Sequence, residues 1–355
     1  MKVLIVGGCG FVGSHLALYL SQQGHEVSVV DNHSREGSRR HQTRIGSKVA
    51  VEIGPIQDSV LMRHYAQVEK PDVILNCAAQ SRSMQGMEEP YVDFHSNVVS
   101  THACLEIARQ SGAALIHWST NKVYSGDVIN GYYTYTEETQ LRHSSKDTIG
   151  SGLSEGPLSQ HRTIYGATKL ASEVLINEWA NIFGIKTIIN RFSCIAGPHQ
   201  WGCSDQGWVA KWVINNELGI PLKYIGWKGK QVRDVLHIND LCVLIKKQIQ
   251  RICQLKKIRD NNTQSNCRTF NVGGGPKNTL SLRECEAICS SISGKYSNVL
   301  EVVHPRFADQ KVFVSNIDEV CKEFDWQPVI DPESTIKSIH SWIIAHRSEV
   351  AEFYS

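Results

Sequence analysis

Tyr165-Gly166-Ala167-Thr168-Lys169 sets a phenol and an ammonium four residues apart. The pattern over 166–183 predicts a helix, and on a helix that spacing puts both side chains on one face. A free phenol has a pKa of about 10 and is a poor base at neutral pH. A nearby cation favours the phenolate, which could then take a proton from an alcohol. Upstream, His117-Trp118-Ser119-Thr120-Asn121-Lys122-Val123-Tyr124 closes an apolar run, and Thr120 could hydrogen-bond the reacting oxygen. Thr120, Tyr165 and Lys169 are therefore the candidate catalytic residues.

A second group of residues suits a dinucleotide. Val3–Val6 is a short apolar strand that runs into Gly7-Gly8-Cys9-Gly10-Phe11-Val12-Gly13 and then a helical pattern. Gly7 permits a tight turn, Gly10 lets the backbone approach a pyrophosphate at the helix N-terminus, and Gly13 lets helix and strand pack closely. A second strand ends at Asp31, 24 residues after Gly7, where an acid would bind a ribose 2′-hydroxyl and repel a 2′-phosphate. NAD rather than NADP is the expected cofactor. The expected contacts are Gly7, Gly10, Phe11, Val12, Gly13, Asp31 and Asn32, together with Tyr165 and Lys169.

These residues need a scaffold that brings strand ends together. Apolar runs at Val3–Val6, Val27–Val30, Val49–Ile53, Val73–Leu75, Ala113–Trp118 and Thr187–Ile189 alternate with helical stripes such as Phe11, Leu16, Leu20 and Ala103, Leu105, Ile107, Ala108. That alternation predicts βαβ units and an α/β fold: a Rossmann-type, doubly wound parallel sheet. The second half is less regular, with helices expected through Trp208–Asn216 and Asp240–Gln254. It reads as a smaller, interwoven C-terminal substrate-binding region. The expected division is 1–192 for the nucleotide-binding domain and 193–355 for the region that holds substrate. Residues 143–160 and 253–267 read as polar surface loops.

Bulk properties narrow the function. The 355 residues carry 37 basic and 35 acidic side chains, a formal net charge of +2. Nothing in that balance asks for nucleic acid or a membrane. The N-terminal apolar run is too short for a signal peptide, and no stretch approaches the roughly 18 apolar residues that span a bilayer. A cytoplasmic setting is expected. The 11 cysteines are scattered without zinc-ligand spacing, so reduced thiols and no metal are expected.

With these motifs in order, the chain resembles the extended short-chain dehydrogenase/reductase family, the sugar-nucleotide epimerases and dehydratases, over nearly its whole length. Asn76-Cys77-Ala78-Ala79 resembles the family's segment beside the cofactor, and Asn97-Val98 its Asn-centred helix. The resemblance adds Ala78, Ala79, Gln80 and Asn97 to the cofactor contacts. Pro55 stands where the family has an acid against adenine, with Asp58 as a substitute. Ser119–Tyr124, Asp205–Val209, Gly229–His237, Phe270–Pro276 and Asp309–Val314 resemble a subgroup of 2-epimerases that act on CDP-linked sugars. This implies a nucleotide-sugar substrate, CDP-linked, contacted by Asn121, Lys122, Cys194, Gln206, Arg233, Arg306 and Asp309. Arg233 and Arg306 would clamp the diphosphate, since guanidinium binds phosphate oxygens bidentately.

The implied reaction is redox-neutral. Tyr165 deprotonates the C2 hydroxyl as hydride passes from C2 to NAD, the 2-keto sugar reorients, and hydride returns to the other face. Alternatives are another sugar-nucleotide epimerase such as a UDP-hexose 4-epimerase, a 4,6-dehydratase or reductase, and an NAD-binding protein without catalysis. The dehydratases carry an acid pair after the Thr that Thr120 matches, and here the residues are Asn121 and Lys122. The resemblance also implies a homo-oligomer, dimer or tetramer, through paired helices.

Overall fold

The computed structural model describes residues 1–131, 134–143, 153, 158, 160–254, 258–260, 263–302 and 304–355. It divides into two compact units. The first is 1–123, 164–191 and 242–270, and the second is 124–163, 192–241 and 271–355. Residues 124–163 thus belong with the C-terminal part, and 242–270 with the N-terminal part.

The first unit is a Rossmann-type α/β layer structure. Its strands are β1 (Lys2–Val6), β2 (Glu26–Asp31), β3 (Ala50–Ile53), β4 (Val73–Asn76), β5 (Ala114–Thr120) and β6 (Thr187–Phe192). Its helices are α1 (Phe11–Gln22), α2 (Ser38–Ile45), α3 (Ser59–His64), α4 (Ser83–Glu88), α5 (Pro90–Phe94), α6 (Ser100–Ser111) and α7 (Ile164–Phe183). The sheet has seven strands in the order Cys267–Val272, β6, β5, β4, β1, β2, β3. Pairings from β5 through β4, β1 and β2 to β3 are parallel, with Val6 opposite both Val30 and Asn76. The order reverses direction between β1 and β4, so the chain leaving β1 faces the crevice where doubly wound sheets bind ligands.

Burial explains why these segments are strands. Every residue of β4 and β5 is buried, as a parallel strand covered on both faces requires. The helical stripes also land inward: Leu16 and Leu20 on α1, and Ala103, Leu105, Ile107 and Ala108 on α6, are inaccessible or nearly so. Leu4, Ile74, Leu105, Leu115 and Ile176 belong to one continuous core. The expected polar loop at 253–267 contains a short antiparallel pair, Ile258–Asp260 with Thr263–Ser265. Most of the other loop, 144–157, lies outside the described residues.

The second unit centres on Val232–His237. That strand pairs in parallel with Cys194–Ala196 and Val312–Phe313, and antiparallel with Thr279–Ser281. Helices α8 (Trp208–Leu218), α9 (Ile238–Arg251, whose residues from 242 onward belong to the first unit), α10 (Leu282–Ser293), α11 (Pro332–Ala345) and α12 (Arg347–Tyr354) follow. Cys285 and Cys289, one turn apart on α10, are buried free thiols in the core with Trp212, Ile339 and Trp342. Glu217, at the end of α8, is buried and gathers Lys295 (2.7 Å), His340 (3.2 Å) and Arg347. Burial alone would raise its carboxyl, but these three donors hold it below the ordinary 4.5.

A carboxylate held low in the folded state contributes its stability fully above its unfolded pKa and loses it as pH falls through the folded value. Two of the three partners reach solvent, so Glu217→Gln should cost about 1–2 kcal/mol at neutral pH. Thermal melts of parent and variant should converge as pH falls below 4.5. A gap that persists unchanged into acid contradicts this account.

Candidate active site

The glycine loop is shaped by what lies against it. Gly7 has φ +77°, and a Cβ there would sit 2.6 Å from the Ala78 amide nitrogen. At Gly13 a Cβ would meet the Gly7 carbonyl oxygen at 2.4 Å. Gly7 N–H donates to the Val30 carbonyl (2.8 Å) and Gly10 N–H to that of Gly7 (3.1 Å), which curls the loop over the ends of β1 and β2. Gly10 then caps α1 with extended backbone and no side-chain cap. Phe11, Val12 and Gly13 therefore open the helix with amides no capping side chain satisfies, as an anion site requires.

Asp31, at the end of β2, is buried. Its Oδ2 accepts from Cys9 N–H (2.9 Å) and its Oδ1 from His33 N–H (2.8 Å). Burial raises its carboxyl, against the lowering effect of those amides. Asn32 accepts from Ser34 N–H (3.1 Å) in the following turn. Asp58 Oδ1 caps α3 through Val60 and Leu61 N–H. Ala78 and Ala79 follow β4, with Ala78 backbone packed on Gly7. Arg35, which no sequence motif marked, donates to Gln80 Oε1 (3.4 Å) and Ser81 Oγ (3.1 Å), linking the loops after β2 and β4.

Helix α7 presents Gly166, Thr168, Lys169, Ser172, Glu173, Ile176 and Ala180 inward. Tyr165 sits in its first turn, one residue earlier than the expected helix start. A hydrogen bond joins Tyr165 to Thr120 from the end of β5. Burial pushes the phenol up to about 12, while that bond and the Arg35 guanidinium pull it down and Asp93 pushes it up. Burial thus works against the expected phenolate. Lys169 is 1% exposed, and among the described residues its Nζ has no hydrogen-bond partner. Burial brings its ammonium down to about 8, against Glu173, Cys77, Asp93 and Cys104, which raise it. Burial and Lys169 both lower His117, which stays a neutral neighbour 3.1 Å from Asn76.

Around this pair lies a polar network. Asn97 receives Gln80 N–H at Oδ1 (3.0 Å) and donates from Nδ2 to Thr168 Oγ1 (2.9 Å). Ser172 Oγ donates to the Asn97 carbonyl (2.9 Å). Glu173, one turn beyond Lys169, is paired with Arg191 Nη2 (2.6 Å) and Nε (3.0 Å) and accepts from Ser119 Oγ. Beside Thr120, Asn121 Oδ1 accepts its hydroxyl (3.3 Å) and Lys122 N–H donates to it (3.2 Å).

The five expected substrate residues of the second unit sit on several segments. Arg233 donates to Asp309 Oδ1 (2.8 Å) and to the Val232 carbonyl (2.8 Å), so two of them are paired with each other. Arg306 donates to the Ser204 carbonyl (2.6 Å). The Gln206 carbonyl accepts from Cys203 N–H (2.8 Å) ahead of α8. Burial pushes the Cys194 thiol up to about 12, with Asp234 raising and Arg233 lowering it.

The NAD dependent epimerase/dehydratase family matches residues 3–273, and the chain belongs to that family. Over nearly its whole length it is similar to CDP-paratose 2-epimerase of Salmonella typhi, with 33% identity over 96% of this chain and 99% of that protein. It is also similar to dTDP-glucose 4,6-dehydratase of Salmonella typhimurium, 24% identical over 98% of this chain and 93% of that one. Among solved structures, UDP-glucose 4-epimerase of Thermus thermophilus in complex with NAD has the same fold, with TM-score 0.77, 22% identity, and 97% and 99% of the two chains covered.

The protein is thus an NAD-dependent enzyme of the epimerase type, and the first unit fits the cofactor. Gly7 and Gly13 let the loop pack tightly on Ala78 and on itself, with no room for a Cβ, α1 offers an uncapped N-terminus, and Lys169 Nζ is a buried donor without an acceptor among the described residues. Gly13→Ala should weaken NAD binding at least about tenfold, because its methyl would strike the Gly7 and Gly8 backbone. Equilibrium titration of the purified protein with NAD measures it, and unchanged affinity would contradict a role of this tight loop in NAD binding. Arg191→Met should cost about 3–5 kcal/mol in denaturant unfolding by leaving buried Glu173 unpaired.

Proposed function

We propose that the enzyme inverts C2 of a CDP-linked deoxyhexose, converting a CDP-paratose-type sugar to its C2 epimer. The observation that carries the proposal is the bonded pair of Thr120 and Tyr165 with a buried Lys169 one turn on and Asn121-Lys122 beside it. NAD, when bound, supplies a hydride acceptor that returns the same hydride. Tyr165 takes the proton from the sugar hydroxyl and later gives it back. Thr120 orients that oxygen through its hydroxyl. Lys169 contributes a cation that eases the charge on Tyr165.

Elimination of water would need an acid beside Thr120. The neighbours are an amide and an amine, which supports epimerisation over dehydration. Similarity to CDP-paratose 2-epimerase over almost the entire chain supports C2 and a CDP-linked donor, against the 4-epimerases and dehydratases. In this reading Arg233 and Arg306 bind the diphosphate, Asp309 presents Arg233, and Gln206 and Cys194 line the sugar-nucleotide segment. Asn121 and Lys122 meet the sugar. Asp31 selects NAD over its 2′-phosphorylated form.

We also assign a homo-oligomer. Met84 and Met87 on α4, Tyr91, Val92 and Phe94 on α5, and Val174 on α7 are exposed apolar side chains of the first unit. Such a patch favours burial against a second copy. Among the described residues no helix is long and apolar enough to cross a membrane, and a cytoplasmic setting accords with free cysteines throughout those residues.

Incubation with CDP-paratose, CDP-glucose and UDP-glucose in parallel, read by proton NMR, tests the reaction. Inversion at C2 of CDP-paratose without added reductant is expected. Inversion at C4, or loss of water from another donor, would overturn the C2 assignment. Tyr165→Phe should lower kcat by about 10²–10⁴-fold, and full turnover in that variant would remove Tyr165 from the chemistry. Tyr91→Glu should shift the protein toward monomer in sedimentation velocity.

A further inference from the structure

Asp93, on the short helix α5, takes no part in the reading above, yet it is wholly buried. Its Oδ2 accepts from Thr168 Oγ1 (3.1 Å) and its Oδ1 from Gln80 Nε2 (3.0 Å). Together with the Asn97 bonds these contacts close a ring. Gln80 N–H donates to Asn97, Asn97 Nδ2 to Thr168, Thr168 Oγ1 to Asp93, and Gln80 Nε2 to Asp93. Thr168 Oγ1 accepts from Asn97 and has one proton, for which Asp93 Oδ2 and the Tyr165 carbonyl, each 3.1 Å away, are both acceptors. Burial raises the Asp93 carboxyl, while the Thr168 and Gln80 hydrogen bonds and Lys169 lower it. Gly86 makes room, since a Cβ there would lie 2.9 Å from Asp93 Oδ1.

The charges are as telling as the bonds. Glu173 and Asp93 are the two carboxylates acting on Lys169. Glu173 is already matched by Arg191. Asp93 is held by neutral donors, and Lys169 Nζ by none among the described residues. A buried anion without a bonded cation and a buried cation without a bonded anion are thus attached through adjacent residues, Thr168 and Lys169. Burial of either charge alone would be costly.

We propose that Asp93 is a positioning residue of the reaction: through the Thr168 hydroxyl it fixes the turn of α7 that carries Tyr165 and Lys169, and its carboxylate is the counter-charge of the Lys169 ammonium. The proposal rests on the reading of Tyr165 and Lys169 as the catalytic pair. The groups facing Lys169 are Glu173 on its own helix, Asp93 on α5, Cys104 on α6, Cys77 after β4 and His117 on β5. Those facing Tyr165 are Thr120, Asp93 and Arg35. Removing the Asp93 charge lowers the pKa of both: Lys169 gives up its proton more readily, and Tyr165 loses a like-charge neighbour once ionised.

The test compares the NAD-loaded parent with Asp93→Asn, Thr168→Val and Thr168→Ser in pH profiles of kcat. Asp93→Asn should lower kcat at least about tenfold with little change in KM and move both limbs of the profile to lower pH. Thr168→Val should also lose kcat, and Thr168→Ser, which keeps the hydroxyl, should retain it. Asp93→Asn with kcat within about twofold of the parent overturns the proposal, as does a loss of kcat with unmoved limbs, which marks a scaffold role only. If Asp93→Asn does not fold, the Thr168 pair decides, and equal kcat in Val and Ser overturns the proposal. A readout independent of turnover is the titration of Lys169 by NMR on ¹⁵N-lysine protein, which should fall in Asp93→Asn. Tyr165→Phe in the same series separates the two claims: full activity there removes the underlying reading, whereas an inactive Tyr165→Phe beside an unaltered Asp93→Asn removes this proposal alone.

Discussion

A lysine ammonium brought almost completely out of water is the constraint on which the rest of the first unit depends. Lys169 is 1% exposed, and burial draws its pKa down toward neutrality. A charge in that position persists only if nearby dipoles and anions favour it. Glu173 and Asp93 do so, and each is itself restrained. Arg191 holds Glu173 from β6, and Gln80 and Thr168 hold Asp93. The polar interior here is a connected network in which one missing partner leaves a buried group unsatisfied.

That network also explains how chemistry far apart in sequence becomes local. Thr120 ends β5, Tyr165 opens α7, Gln80 follows β4, and Asn97 precedes α6. Parallel strands deliver all their carboxyl ends to one edge of the sheet, so loops that leave β1, β2, β4 and β5 crowd the same crevice. The glycine loop makes room at that edge because Gly7 and Gly13 lack the atoms that would collide with Ala78 and with the loop itself. Arg35 reaches across from the β2 loop to the β4 loop over the same edge.

The motifs of the first unit were legible in sequence because each is short and local. A strand, a glycine turn and a helix follow one another in Val3–Gln22, and an acid ends the next strand at Asp31. Tyr165 and Lys169 share a helix face by spacing alone. Asp93, Arg35, Glu173 and Arg191 carried no such mark. A lone Asp on a five-residue helix resembles any surface acid until its partners, 13 and 75 positions away, are known. Asp58, a candidate cofactor contact by position, has its Oδ1 engaged in capping α3.

By itself the sequence determined the Rossmann order of strands and helices, the tight glycine turn between β1 and α1, and the Tyr–Lys pair with Thr120 upstream. These rest on periodicity and on local backbone needs that act within a few residues. The tertiary structure decided what no local rule reaches. It recruited Cys267–Val272 as the seventh strand of the sheet, gave 242–270 to the first unit, and paired Arg233 with Asp309. It also set burial against the ionisation of Tyr165, pushing the phenol up to about 12. The physical reason is desolvation: the cost of a charge depends on everything packed around it, and that is known only once the chain has folded.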